Sequence, residues 1–141
     1  MRALLLANLS LTLVLTGLIW TIQLVHYPLF ANVGAEAWRA YHAAHNTRIT
    51  VLVAPLMVAE LLVAVAWVLS PGGRPGAAWL GLALVLVAWG STMLVSVPLH
   101  GRLAQGLDPA LIGALVTTNW IRALAWTARG VLLLAVAATS A

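Results

Sequence analysis

The sequence predicts an all-α fold: an integral membrane four-helix bundle, up-down-up-down, with short loops. Three observations carry this. The hydrophobic fraction is 63%, against roughly 45–50% in soluble domains. The apolar residues gather in four runs, each reaching the length of about 20 residues that a bilayer span needs. Short breaker clusters such as "SPGGRPG" and "GLDPA" separate the later runs. A chain of 141 residues suits one domain, residues 1–141, and short connections make successive helices antiparallel.

The first span covers about residues 3–26, preceded by Arg2 and stopped near Pro28. It also resembles a signal peptide, with "VGA" before Glu36 as a small-residue cleavage site. Its apolar stretch exceeds the usual h-region of about 7–15 residues, however, so it is read as a span. The second span covers about 42–69; it ends at Ser70 and begins between Trp38 and Ile49. The third covers about 77–99. The fourth covers about 111–138, after Asp108–Pro109, a helix-start signal. No internal repeat, low-complexity tract or linker is visible.

Cysteine is absent, which excludes disulfides, thiolate metal sites and Cys nucleophiles. The formal charge of +4 rests on seven arginines and no lysine. In a membrane protein these belong to loops, interfaces and interior pairs, so they do not argue for a nucleic-acid partner. All-Arg usage fits a bacterium with a GC-rich genome, which places the protein in the bacterial inner (cytoplasmic) membrane. A positive-inside count puts the histidines in the cytoplasm, whereas Arg2 before the first helix argues for the opposite orientation.

In this topology one membrane face receives His26, Tyr27, Tyr41, His42, His45, Asn46, Arg48, His100, Arg102, Asn119 and Arg122. All four histidines are there. The other face receives Arg2, Ser70, Arg74 and the C-terminus. At about 100° per residue, polar residues fall into stripes: Asn8, Thr12, Thr16, Gln23 and His26 on the first helix, His42, His45 and Glu60 on the second. Trp89, Met93, Ser96 and His100 align on the third, and Asn119, Arg122, Trp126 and Arg129 on the fourth. Unpaired donors facing lipid cost several kcal/mol, so the stripes turn inward and the interior is wettest at the histidine end.

Glu60 and Arg129 lie at similar depth, each about nine residues from the far end of its helix. An isolated charge there costs at least about 2.5–3.5 kcal/mol, so a buried ion pair is expected. It serves either as a proton relay or counter-ion, or as a structural pair that fixes helix register.

"HAAH" places His42 and His45 at i, i+3 on one helix face. With His26 and His100 they form a candidate metal site for copper or iron, or offer axial ligands to haem, with Trp126 beside the cofactor. The alternative is that these histidines snorkel at the interface and bind nothing. Asn119 and Arg122, at i, i+3 near the start of the fourth helix, combine with Arg48 and Arg102 into an anion site for a carboxylate, phenolate or oxyanion. Lipid headgroup binding is the alternative. Trp89 and Trp126 are expected in the pocket wall.

Four short-looped membrane helices, "YHAAH" opening the second, "VPLHGRL" closing the third and "NWIRALAW" opening the fourth, resemble small bacterial membrane proteins related to the anthrone-oxygenase-like family. The resemblance implies oxygenation of polyketide anthrones without a cofactor. By it, Asn119, Trp120 and Arg122 match the family's Asn-Trp-x-Arg segment, with His42 and His45 as further pocket residues. The histidine-rich pattern departs from the fungal members.

The expected function is a membrane-embedded redox or oxygenase-type enzyme for a small apolar, phenolic or quinone-like substrate taken from the lipid bilayer. His42, His45, Arg48, Asn119 and Arg122 are its catalytic candidates: histidine titrates near neutrality and can take a proton, while arginine stabilises the resulting anion. The alternatives are a non-catalytic metal- or haem-binding subunit of a larger membrane complex, and a small transporter or structural protein whose polar stripes serve helix packing. Association into a homo-oligomer is compatible with each.

Overall fold

The computed structural model describes residues 2–71 and 74–139. Gly72 and Gly73 of the "SPGGRPG" cluster and the C-terminal Ser140 and Ala141 lie outside the described residues. Four helices are long and apolar enough to cross a membrane: α1 (Arg2–Asn32), α2 (Ala35–Leu69), α3 (Pro75–Leu103) and α4 (Pro109–Ala138). They form a multi-pass bundle in which α1 packs on α2, α2 on α3, α3 on α4, and α4 back on α1. No strand occurs among the described residues.

Three helix ends differ from the sequence expectation, all at the histidine end. α2 begins at Ala35, with Gly34 extended at its N-cap and Glu36 in the first turn, where a carboxylate complements the helix dipole. At about 1.5 Å per residue its 35 residues span about 52 Å, well over the roughly 30 Å of hydrocarbon. Measured from Leu69, the apolar layer ends near Ile49, so His42 and His45 stand at headgroup level. At the start of α4 the expectation holds closely: the Asp108 carboxylate accepts from the N–H groups of Ala110 and Leu111 at 2.9 and 3.2 Å, a helix N-cap.

Pro28 does not stop α1. The turn before it, Ile22–His26, is π-helical, and the Tyr27 N–H reaches back to the Ile22 carbonyl. Proline lacks an N–H, and its ring collides with the carbonyl four residues earlier. One extra residue in the preceding turn moves that carbonyl aside and lets the helix pass. α3 does the same at Thr92–Ser96 ahead of Pro98, with Val97 N–H on the Thr92 carbonyl. The two π turns lie 70 residues apart and run into the similar segments "LVHYPLF" and "LVSVPLH". The chain therefore does carry a local repeat, confined to a motif too short and too ordinary in composition to stand out among Leu- and Val-rich runs.

The core divides into two apolar clusters. One, at the histidine end, contains Phe30, Trp38, Met57 and Trp126; the other, at the far end, contains Leu5, Trp67, Ala78 and Leu133. A polar layer lies between them. The Glu60 carboxylate meets the Arg129 guanidinium at 2.9 Å, both side chains fully buried. Thr12 Oγ1 and Trp126 Nε1 also donate to Glu60, each at 2.9 Å. Arg129 donates further to Thr12 and Asn8, and its Nε–H to the Gly81 carbonyl at 3.1 Å. A Cβ at position 81 would meet the Trp67 ring at 3.3 Å, so glycine lets that backbone come close enough to serve the guanidinium.

Candidate functional site

The π turn in α1 decides which side chain enters the site. On a straight helix His26 shares the stripe of Asn8, Thr12 and Gln23. The extra residue delays the next inward position by one, so Tyr27 takes it at 3% exposure while His26 stays half-buried. Sequence reasoning brings Tyr27 to this end without giving it a role. The signal was there in the proline that follows it.

The Tyr27 hydroxyl lies 3.2 Å from Arg122 NH2 and 3.1 Å from His100 Nε2. Arginine can only donate, so the Tyr27 oxygen accepts from it and its O–H is directed to His100 Nε2. The neutral His100 ring then carries its proton on Nδ1 and donates to His42 Nε2, 3.1 Å away. Tyr27, His100 and His42 thus form a chain with one sense of donation. His42 stacks on Trp38 with ring centroids 5.1 Å apart, and Trp38 Nε1 donates to the Leu103 carbonyl at 2.7 Å. That bond ties the start of α2 to the end of α3 and holds the two imidazoles in register.

Arg122 also donates to Asn119 Oδ1. The Asn119 amide donates to Gln23 Oε1 at 2.7 Å, and Gln23 in turn to the Val116 carbonyl at 3.1 Å. Asn119 is thereby fixed with its oxygen towards the guanidinium. Both residues lie well inside α4, ten or more positions past its first residue, Pro109. The expected help from the helix N-terminus does not apply, because the dipole effect fades within the first turn.

The four histidines do not converge. His26 Nε2 and His45 Nδ1 pair at 2.7 Å, His42 pairs with His100, and His45 stacks on His100 at 5.5 Å. Nitrogens turned towards each other in pairs cannot all face one ion. Among the described residues no group of three or more His, Asp or Glu side chains is arranged to hold a metal, His26, His42, His45 and His100 included. The haem expectation meets a similar obstacle. Of the four histidines only His100 lines the cavity described next, and both its ring nitrogens are engaged.

A cavity of about 410 Å³ opens below the relay. Its floor is apolar, with Leu15, Ile19, Met57 and Trp126; its roof carries Tyr27, His100 and Arg122, with Thr92 and Ser96 on the α3 side. Trp89 and Trp126 both stand in its wall. Arg122 is 6% exposed and its Nε–H has no partner. Its other contact, NH1 to Thr92 Oγ1, is long at 3.5 Å. All its partners are neutral; among the described residues it has no carboxylate.

Arg48 is not part of this site. It is exposed and does not line the cavity, because Asn46, which does, sits two residues and about 200° away around the helix. Arg102 is likewise exposed, as is Trp120, which packs its edge on Trp20 at 5.4 Å instead. Comparison with protein-family models, curated proteins and solved structures found no match.

Proposed function

We propose that the protein is a membrane-embedded oxygenase-type enzyme, in the bacterial cytoplasmic membrane, acting on a small apolar phenolic or quinone-like molecule. One observation carries the reading: a buried guanidinium without a carboxylate partner forms the roof of an apolar cavity, beside a hydrogen-bonded Tyr–His–His chain. A buried unpaired cation is costly. A ligand whose head carries or develops negative charge offsets that cost.

The substrate's rings fill the apolar floor and its hydroxyl or enol oxygen meets Arg122 and Tyr27. The proton leaves along the chain: the substrate O–H donates to the Tyr27 oxygen, Tyr27 passes its own proton to His100 Nε2, and His100 Nδ1–H passes to His42 Nε2. Arg122 stabilises the enolate or phenolate left behind. Dioxygen is the oxidant, and the anion's electron-rich carbon is the atom it attacks. For an activated methylene the balance is CH2 + O2 → C=O + H2O, with a C–O bond formed, two C–H bonds broken and the second oxygen atom leaving as water. The chain's residues hold the anion, take its proton and exclude bulk water.

The test is oxygen uptake by the protein in lipid nanodiscs, supplied with an anthrone as substrate and a metal chelator. One dioxygen is consumed per ketone formed, and Arg122→Gln and His100→Gln abolish the uptake. Absence of both uptake and substrate binding by the intact protein overturns the reading.

A further inference from the structure

The cavity is closed on two sides and open on a third. Its lining residues from α1 and α4, such as Leu15, Ile19 and Trp126, are buried, whereas Thr50 and Ala54 of α2 and Val97 and Gly101 of α3 are exposed. The helix packing explains the gap. α2 packs along the first half of α3, Pro75–Ser91, and its backbone stands off from the second half, Thr92–Leu103, which its side chains rejoin at the tip, where Trp38 meets Leu103 and His42 meets His100. Pro55, which removes a backbone hydrogen bond from α2, sits at the level where the two part. The lips themselves are small or slender, and the surface around them, including Leu94 and Val51, is apolar and lipid-facing.

We infer that the cavity is loaded sideways from the bilayer, through a window between α2 and α3 whose lips are Thr50 and Val97, and that its occupant is a membrane-dissolved amphiphile with a single acidic head. The inference rests on the proposed reading of the Arg122 site. Depth supports it. From Ala138, Arg122 is 16 residues up α4, about 24 Å, just inside a hydrocarbon layer of about 30 Å. An amphiphile lying in one leaflet presents its head near that level and its apolar body below, the same polarity order as the cavity. Val97 sets the width: it lines the cavity and is half exposed, so a larger side chain there narrows the window without disturbing the packing.

The window is tested with two photoreactive diazirine probes in lipid nanodiscs, a decylphenol and the matching alkane without a head. Labelling of the interior Met57 is measured by peptide mass spectrometry relative to labelling of Leu94 on the outer face. Thr50→Phe and Val97→Phe, on opposite lips, lower the Met57/Leu94 ratio several-fold for both probes. Val97→Leu lowers it less, and Gly113→Phe, away from the cavity with open space around its Cβ, leaves it unchanged. An unchanged ratio in both phenylalanine variants at the lips overturns the window, as does an equal fall in the Gly113 variant. Arg122→Gln separates the head-group reading: it lowers phenol labelling by about ten-fold or more, the loss of a hydrogen bond to a charged group, and spares the alkane. Equal labelling by the phenol in wild type and Arg122→Gln refutes that reading and leaves the window standing.

Discussion

Two buried arginines on α4, seven residues and about two turns apart, face the same interior and meet opposite fates. Every nitrogen of Arg129 has a partner: a carboxylate, two side-chain oxygens and a backbone carbonyl accept from it. Arg122 has a phenol, an amide oxygen and a distant hydroxyl, and its Nε has no partner. The first is a closed account of charge, the second an open one. The cavity of about 410 Å³ is lined by the open one and not by the closed one. A buried cation by itself therefore says little about function in a membrane bundle; what its partners leave unsatisfied says more.

Breaking the closed site gives the largest effect. Glu60→Gln turns Arg129 into an uncompensated buried charge and costs about 3–5 kcal/mol of stability, read as a fall in melting temperature in detergent. The double variant Glu60→Leu with Arg129→Leu recovers most of it, because the pair's desolvation cost disappears with the pair. Removing the Tyr27 hydroxyl comes next. Tyr27→Phe interrupts the proton chain and lowers oxygen uptake by about 10²-fold or more, while substrate still binds.

The comparison is sharpened by closing the open site. Thr92 lines the cavity next to Arg122, so Thr92→Asp gives the guanidinium the carboxylate that Arg129 already has. Phenol binding, measured by quenching of tryptophan fluorescence, falls by about ten-fold or more, the worth of a charged hydrogen bond. Melting temperature stays level or rises. A variant that still binds phenol at wild-type affinity breaks the distinction between the two arginines. The smallest effect belongs to the far periphery: Asp108→Ala removes the α4 cap, costs about 1 kcal/mol, and leaves phenol affinity untouched.

The membrane bundle was legible because length and hydropathy alone specify a span, and because charges at matched depth must find each other. Glu60, Arg129, Thr12 and Asn8 meet for that reason. Asn119, Arg122 and Trp126 were legible as one helical stripe. What escaped was everything that depends on a departure from 100° per residue. A proline reads as a stop, so the passage of α1 through Pro28 and the entry of Tyr27 were hidden, although "HYP" and "SVP" mark both bends. Arg48 was assigned to the pocket by proximity in sequence, against its own phase relative to Asn46. The histidines were counted as a cluster, and a count does not show whether imidazoles aim at one point or at each other.

The paired π turns also bear on how this site can change. Each amounts to one residue more than a regular turn holds, so a single-residue deletion within Ile22–His26 restores an ordinary helix. That deletion leaves the Tyr27 ring on the inward stripe, whereas an ordinary helix at unchanged length turns everything beyond it by about 100° and presents His26 instead. The selectivity of the chamber is thus set by whether two turns are wide or regular as well as by side-chain identity. Pro28→Ala and Pro98→Ala, which remove the reason for the wide turns, would re-aim its walls in a step that changing a lining side chain does not take.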